Sequence, residues 1–425
     1  MTLQPSSLRP DGQPVTLGVL GGGQLGRMFV HAAQTLGFRT AVLDPDPDSP
    51  AGRVSHLHLK AEYGDEPALA ALVQACDAVT TEFENVPAQA LRVLARHRPV
   101  APSAEAVAVC QHRGLEKAHF TACGVPCVPH ARLESAADLA SLLSLPKVRS
   151  VPGPAPREGA RKLGAARRFL GRQEGDELFP AILKTSTLGY DGKGQVRVER
   201  RDELAQAWAR LREAPCVLEK RVPLTAELSV VVARDVSGQV VHLPVQQNLH
   251  RDGILAVTWV PAPDVPAAVA AQAVAHATAV AQSLRYVGVL CVEFFLLEDG
   301  TLLANEMAPR PHNSGHHSID ACDVSQFDLQ VRALAGLPLV VPRLHSPAVM
   351  LNLLGDLWFA QGSDTPEPPS WSPVLALPGT HLHLYGKIEA RRGRKMGHLT
   401  VTAARAEDAR SVALQAAALL GLDPF

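Results

Sequence analysis

Two apolar runs, residues 289–297 and 302–304, flank the dipeptide Asp299-Gly300. Runs of this kind around Asp-Gly predict an antiparallel hairpin closed by a tight two-residue turn. With the turn centred on that dipeptide, Glu298 pairs with Thr301, Leu296 with Leu303 and Glu293 with Glu306. Residues directly opposed on one face have Cβ atoms roughly 4.5–5.5 Å apart. Two carboxylates so placed in an apolar hairpin repel unless a cation lies between them. A hard divalent ion held by their oxygens removes the conflict; so does exposure or salt-bridging of one glutamate. The next residues, Arg310-Pro-His-Asn-Ser-Gly-His316, are polar and conformationally special, which favours a site.

A chain of 425 residues exceeds one ordinary core, and length alone suggests roughly three domains. With 46% hydrophobic and 20% charged residues it is a globular sequence, not a disordered or fibrous one. A formal net charge of −1 gives no global attraction to nucleic acid or an acidic membrane. The seven cysteines include no CxxC pair, and an odd number suits reduced thiols better than a disulfide framework. The first residues lack the apolar core of a signal peptide, and no run approaches the ~18 uncharged apolar residues of a membrane span. A cytoplasmic protein without a membrane or nucleic-acid partner is expected.

Residues 15–20 form a short apolar strand that enters GGGQLG (21–26), and 27–36 are helical in character. Asp44 ends the next strand, 40–43. A strand, GxGxxG and a helix point to dinucleotide binding. The same glycines at a strand-to-helix turn also serve any phosphate, or tight packing alone. Alternation of strands and helices continues through 78–81 to a boundary near Pro102. TEFENV (81–86) lies at the carboxyl end of a strand, where open α/β sheets place ligands, so Glu82 and Glu84 are either ligand contacts or helix N-terminal charges. Residues 104–109 and 115–123 read as helices, and Arg113 and Lys117 share a face that by itself reads as solvated.

Residues 147–177 hold eight Lys/Arg against four Asp/Glu behind a Pro/Gly cluster, the texture of a basic surface insertion. A buried strand, 181–184, ends in Lys184, which needs an anionic partner. GYDGKGQ (189–195) follows; it is glycine-rich enough to close over phosphate oxygens, though not a Walker A. Strands at 216–222, 226–232 and 240–249 and an Ala/Val-rich helix at 267–284 lead to the hairpin. Beyond it come short strands at 381–385 and 399–401, with five cations between Lys387 and His398, and a terminal Ala/Leu helix. Those cations are either surface charge or a phosphate cradle.

A strand lysine before a glycine loop, a hinge-like strand and two opposed glutamates together resemble the ATP-grasp superfamily. Within it, GGGQLGRM, TEFENVP, GYDGKGQ, NLHRDGI, NEMAPRPHNSGH and GRKMGH, in that order, are similar to the 5-(carboxyamino)imidazole ribonucleotide synthetase family. The resemblance implies an α/β and α+β fold. It has a Rossmann-like pre-ATP-grasp domain (1–102), an ATP-grasp module (103–345, lid lobe about 124–222) and a small β-rich C-terminal domain (346–425). It implies ATP-dependent carboxylation of 5-aminoimidazole ribonucleotide with bicarbonate through carboxyphosphate, with Mg2+, in a homodimer. GGGQLG then lies near the ribonucleotide and holds no dinucleotide. By the same resemblance ATP is held by Arg113, Lys184, Gly189, Tyr190, Asp191, Gly192, Lys193, Gly194, Gln195, Glu219, Lys220, Arg221, Val222, Glu227, His250, Asn305 and Glu306. Glu293 and Glu306 hold the metal, and Arg310 and Lys184 act in catalysis. Gln24, Leu25, Glu82, Arg310, His312, Asn313, Ser314, Lys387, Arg394 and Lys395 meet the ribonucleotide. The insertion at 147–177 departs from the family's shorter connection. Other ATP-grasp ligases, such as the formate-dependent glycinamide ribonucleotide transformylase, are the main alternative, with a dinucleotide oxidoreductase or a non-catalytic nucleotide binder behind them.

Overall fold

The computed structural model describes residues 2–144, 178–187, 189, 194–359 and 364–425; the basic insertion and residues 190–193 of the glycine loop lie outside them. The chain forms two compact units, Met1–Cys110 with Ala226–Phe294 and Met307–Phe425, and Gln111–Thr225 with Phe295–Glu306.

In the first unit the strands Leu57–Leu59, Arg39–Leu43, Thr16–Leu20 and Ala78–Thr81 stand side by side in that order, all parallel. Their apolar side chains are buried on both faces, as helix-covered parallel strands require. Gly21, Asp44 and Glu82 each follow directly on the last residue of a strand, so all three lie at the carboxyl edge. The helix Gln24–Thr35 buries Phe29, Val30 and Ala33 against this sheet.

A second sheet, most of it in this unit, has nine strands among the described residues: Leu302–Ala308, Gly288–Leu297, Leu224–Arg234, Gln246–Arg251, Ile254–Val260, Ala348–Leu354, Lys395–Thr402 and Thr380–Leu384 in order, with Val240–His242 paired to Leu224–Arg234. The C-terminal strands extend it, Val257 pairing with Leu351 and Asn352 with His398. The single strand expected at 240–249 is two, Val240–His242 and Gln246–Arg251, because Pro244 cannot donate to a ladder.

The second unit has an antiparallel sheet in the order His130–Leu133, Cys216–Lys220, Ala181–Thr185 and Gln195–Val198. Leu183, Leu218, Val198 and Trp208 form its core. The hairpin tip belongs here too and departs from expectation. Leu297 N–H donates to Thr301 O at 2.9 Å and Gly300 N–H to Leu297 O at 3.0 Å, which makes a three-residue turn. Gly300 takes φ +80°, and Asp299 Oδ1 accepts from Thr301 N–H at 2.9 Å. Leu297, not Glu298, therefore faces Thr301, one residue out of the expected step. The opposition of Glu293 and Glu306 rested on the two-residue turn and does not follow from this one. Among the described residues, no helix is long and apolar enough to cross a membrane.

Candidate active site

The second unit gathers its charges around one buried carboxylate. Glu219, on the strand Cys216–Lys220, has Lys184 Nζ at 2.7 Å from Oε2 and Lys117 Nζ at 3.2 Å from Oε1. Burial alone would raise its carboxyl, but Lys117, Lys184 and Arg113 outweigh that and hold it down to about 2. Lys117 also donates to Asn305 O, and its side chain is 0% exposed, so the solvated-face reading is wrong for it. Arg113, Glu116, Lys117 and Phe120 occupy one face of the helix Arg113–Ala122, and Phe120 is fully buried. An apolar anchor on a charged face was the signal that this face turns inward.

Arg113 donates to Glu306 Oε2 at 2.8 Å and to Gly189 O at 3.5 Å. Burial works against ionisation of Glu306, yet Arg113 and Lys184 keep its carboxyl well below the usual range. The Glu306 side chain is still 40% exposed, so one face of this anion is open. Lys184 pairs across the ladder with Gln195, at the exit of the glycine loop, whose Gly194 takes φ +72°. Val222 packs on Val128 and Leu303, and Arg221 reaches Glu199 at 2.7 Å on the surface. Lys220 ends its strand, half-buried. The unit thus brings Arg113, Lys184, Gly189, Gly194, Gln195, Glu219 and Glu306 together; Tyr190, Asp191, Gly192 and Lys193 fall outside the described residues.

In the first unit the glycine turn is filled from within. Gly23 N–H and Gly26 N–H donate to the two oxygens of Glu82 at 2.6 and 2.7 Å, and Gly22 N–H to Asp44 Oδ2 at 2.6 Å. A Cβ on Gly21 would stand 2.4 Å from the Glu82 side chain, and one on Gly26 would meet Gly21 O at 2.6 Å. These glycines therefore admit a carboxylate of the chain itself to the helix N-terminus. Burial pushes the Glu82 carboxyl up, against the pull of the two N–H donors. Gln24 is half-buried there, while Leu25 is a core residue packed with Met28, Phe327 and Tyr385.

The polar tail beyond the hairpin is held just as closely. Arg310 is ion-paired with Glu84, a partner that the two readings of TEFENV did not foresee. His312 Nε2 lies 3.5 Å from Glu293 Oε1, and its Nδ1 lies 2.9 Å from Ser314 Oγ. Ser314 Oγ meets Ser229 Oγ at 2.8 Å; Ser229 accepts from Asn248 Nδ2 at 2.9 Å, and Asn248 Oδ1 from Thr258 at 2.9 Å. This buried chain ties the tail to the sheet. Asn313 is 6% exposed, and neither polar atom of its amide has a partner among the described residues. A buried amide left so is costly unless a ligand serves it. His250 Nδ1 stands 2.6 Å from Glu227 Oε2, as the neighbouring strands dictate. At the basic turn Lys387 Nζ donates to Lys395 O, and Arg394 donates to Glu389 O at 2.9 Å. Burial and then Arg391 lower the Arg394 pKa.

Three family models match the chain: the ribonucleotide synthetase preATP-grasp domain over residues 15–111, the ATP-grasp domain over 172–327, and the phosphoribosylaminoimidazole carboxylase C-terminal domain over 348–412. The N5-carboxyaminoimidazole ribonucleotide synthase of Brucella melitensis is 42% identical over 404 residues, 94% of this chain and 98% of its own length. That of Bacillus subtilis is 37% identical over 385 residues, 90% of each. An ADP complex of N5-carboxyaminoimidazole ribonucleotide synthetase superposes with TM-score 0.80 at 35% identity, covering 98% of this chain and 97% of that one. The Aspergillus clavatus synthase in complex with ADP and 5-aminoimidazole ribonucleotide superposes with TM-score 0.79 at 30% identity, covering 96% and 99%.

Proposed function

This chain belongs to the N5-carboxyaminoimidazole ribonucleotide synthase family, and on that premise we propose how its own residues carry the reaction. It is an ATP-dependent ligase that carboxylates 5-aminoimidazole ribonucleotide with bicarbonate in purine biosynthesis, releasing ADP and phosphate. Bicarbonate is a poor electrophile because hydroxide would have to leave. Transfer of the γ-phosphoryl group to it makes carboxyphosphate, from which phosphate leaves instead. The substrate amine then takes the carboxyl carbon, or the CO2 set free from it. Nothing in these steps demands a covalent enzyme intermediate, so the protein's work is positioning and charge neutralisation.

The observation that carries the residue assignment is the set of cations converging on Glu219 and Glu306, with Lys184 beside the glycine loop. In our reading Lys184 and Arg113 face the phosphates of ATP, and residues 189–195 close over them. The hinge Glu219, Lys220, Arg221 and Val222 holds ATP, Glu227 contacts its ribose, and His250 and Asn305 complete the nucleotide site. Lys117 and Lys184 together keep Glu219 ionised. Arg310, His312, Asn313 and Ser314 receive the ribonucleotide, supported by the buried Asn313 amide, which has no partner among the described residues. Gln24 and Leu25 lie beside it through the turn that Glu82 organises, and Lys387, Arg394 and Lys395 take its phosphate.

Magnesium fits the donor chemistry of Glu293 and Glu306. Both offer hard carboxylate oxygens, and Arg113 keeps Glu306 an anion while part of it stays exposed. Bound there, Mg2+ would neutralise charge on the β- and γ-phosphate oxygens. By its family resemblance the enzyme works as a homodimer in the cytoplasm.

ADP release measured with each substrate omitted in turn tests the whole. It should require both bicarbonate and 5-aminoimidazole ribonucleotide; support by formate with glycinamide ribonucleotide instead would overturn the reading. A second measurement addresses Glu84. Glu84→Gln removes the carboxylate that holds Arg310, and misplacing a group near the chemistry costs up to about 10²-fold. A fall of that order in kcat with an unchanged KM for ATP is expected. An equal fall in ATP affinity would place Glu84 elsewhere.

A further inference from the structure

One cluster in the first unit is unused by this chemistry. The strand Thr380–Leu384 carries His381 and His383, two apart and so on one face, and His383 pairs directly with His398 on Lys395–Thr402. The short helix Ser318–Ala321 lays Asp320 against that face. Asp320 Oδ2 is 2.9 Å from His383 Nε2, and Asp320 Oδ1 is 3.7 Å from His381 Nδ1. One ligand atom from each of Asp320, His383 and His398 falls within 4.8 Å of the others.

We propose that Asp320, His383 and His398 form a binding site for a divalent transition-metal ion of the zinc class, with His381 at its rim. Two imidazoles and a carboxylate suit zinc or its neighbours and leave a fourth position for water or His381. Ligands on one tetrahedral zinc at about 2.0–2.2 Å stand roughly 3.3–3.5 Å apart, so the wider separations must close by up to about 1–1.5 Å while the Asp320–His383 pair opens slightly. The rings of His383 and His398 are now stacked, with centroids 4.5 Å apart and planes 13° apart, and binding would swing one of them out of that stack.

The surroundings favour an ion over a plain Asp–His pair. Ligating histidines characteristically anchor their other ring nitrogen. His398 Nδ1 meets Tyr385 OH at 3.0 Å, and His381 Nε2 meets Thr402 Oγ1 at 3.1 Å, each leaving its second nitrogen for the cluster. His398 Nε2 is buried without a partner among the described residues, a position an Asp–His pair alone does not explain. Burial also keeps the His398 imidazole neutral, the form that binds metals. An ion here would staple the segment following Asn313–Gly315 to the strand pair that carries Lys395, stiffening both without entering the phosphoryl chemistry.

The test is Zn2+ titration of the full-length protein by calorimetry with Mg2+ in excess, which fills all-oxygen sites but not imidazole ones. Co2+ serves as an optical probe of four-coordinate geometry. One saturable Zn2+ site is expected, with a melting temperature that rises with free Zn2+. Asp320→Asn, close to isosteric, and His383→Ala should each abolish it. Tyr385→Phe, which touches only the outer partner of His398, should weaken it about 10–100-fold. Absence of saturable binding in the wild type overturns the site. So does binding that survives Asp320→Asn undiminished, which would place the ion elsewhere.

Discussion

Glu219→Gln is expected to destabilise the second unit by about 3–5 kcal/mol, the usual cost of removing one partner from a buried ion pair. The substitution keeps the volume and removes the charge, leaving Lys117 and Lys184, whose side chains are 0% and 8% exposed, facing a neutral amide. Trp208 is the only tryptophan in that unit, so its fluorescence during urea unfolding reads the loss. Lys117→Met placed on top of Glu219→Gln should recover part of it, because a matched apolar replacement relieves the stranded charge. The pH dependence has a definite sign. The Glu219 carboxyl falls from an ordinary 4.5 to about 2, so its contribution is fully present above pH ~4.5 and is lost as pH drops towards 2. The Gln variant should lack that acid limb. A cost under about 1 kcal/mol would show that the two lysines are solvated in solution, and the buried cluster would fall with it.

The same carboxylate shows where sequence reasoning reaches and where it stops. Lys184 ending an apolar strand announced that an anion must be near, and the anion is Glu219 on the adjacent strand. Lys117 gave no such notice, because a charged residue on a helix is solvated by default and its partner comes from a distant strand. Only the fully buried Phe120 on its face betrays the inward turn. Short apolar runs that stop at a charged or proline residue were legible to within a residue or two, as at Ala78–Thr81 between Asp77 and Glu82 and at Ala181–Thr185 after Pro180. Asp299-Gly300 misled by one position. Asp-Gly serves a two-residue turn with both central residues at positive φ, and equally a three-residue turn with glycine alone there; only Gly300 is positive. Glycines 21–26 were legible as a place where backbone must come close to an anion, but not that Glu82 of the chain itself would be that anion. The Arg310–Glu84 pair joins residues far apart in sequence, which no local pattern encodes.

Glu306→Gln is expected to leave the fold intact and to lower ADP formation by about 10²–10³-fold or more, the scale set by losing one electrostatic partner of a transition state. The fold survives because the pair with Arg113 is partly solvated on the Glu306 side, 40% exposed, so its net worth to stability is small. Activity does not survive, because a glutamine amide keeps an oxygen of similar reach but carries no charge to hold a divalent cation among phosphate oxygens. The two losses separate experimentally. If Glu306 binds the metal, the variant's half-saturating Mg2+ concentration rises, and added Mg2+ restores part of the rate. If its work is only to hold Arg113, Mg2+ dependence stays as in the wild type while ATP affinity falls, and Arg113→Lys reproduces the defect. Near-normal turnover at low Mg2+ would remove Glu306 from the metal and leave Glu293 as the remaining carboxylate candidate, still placed beside His312.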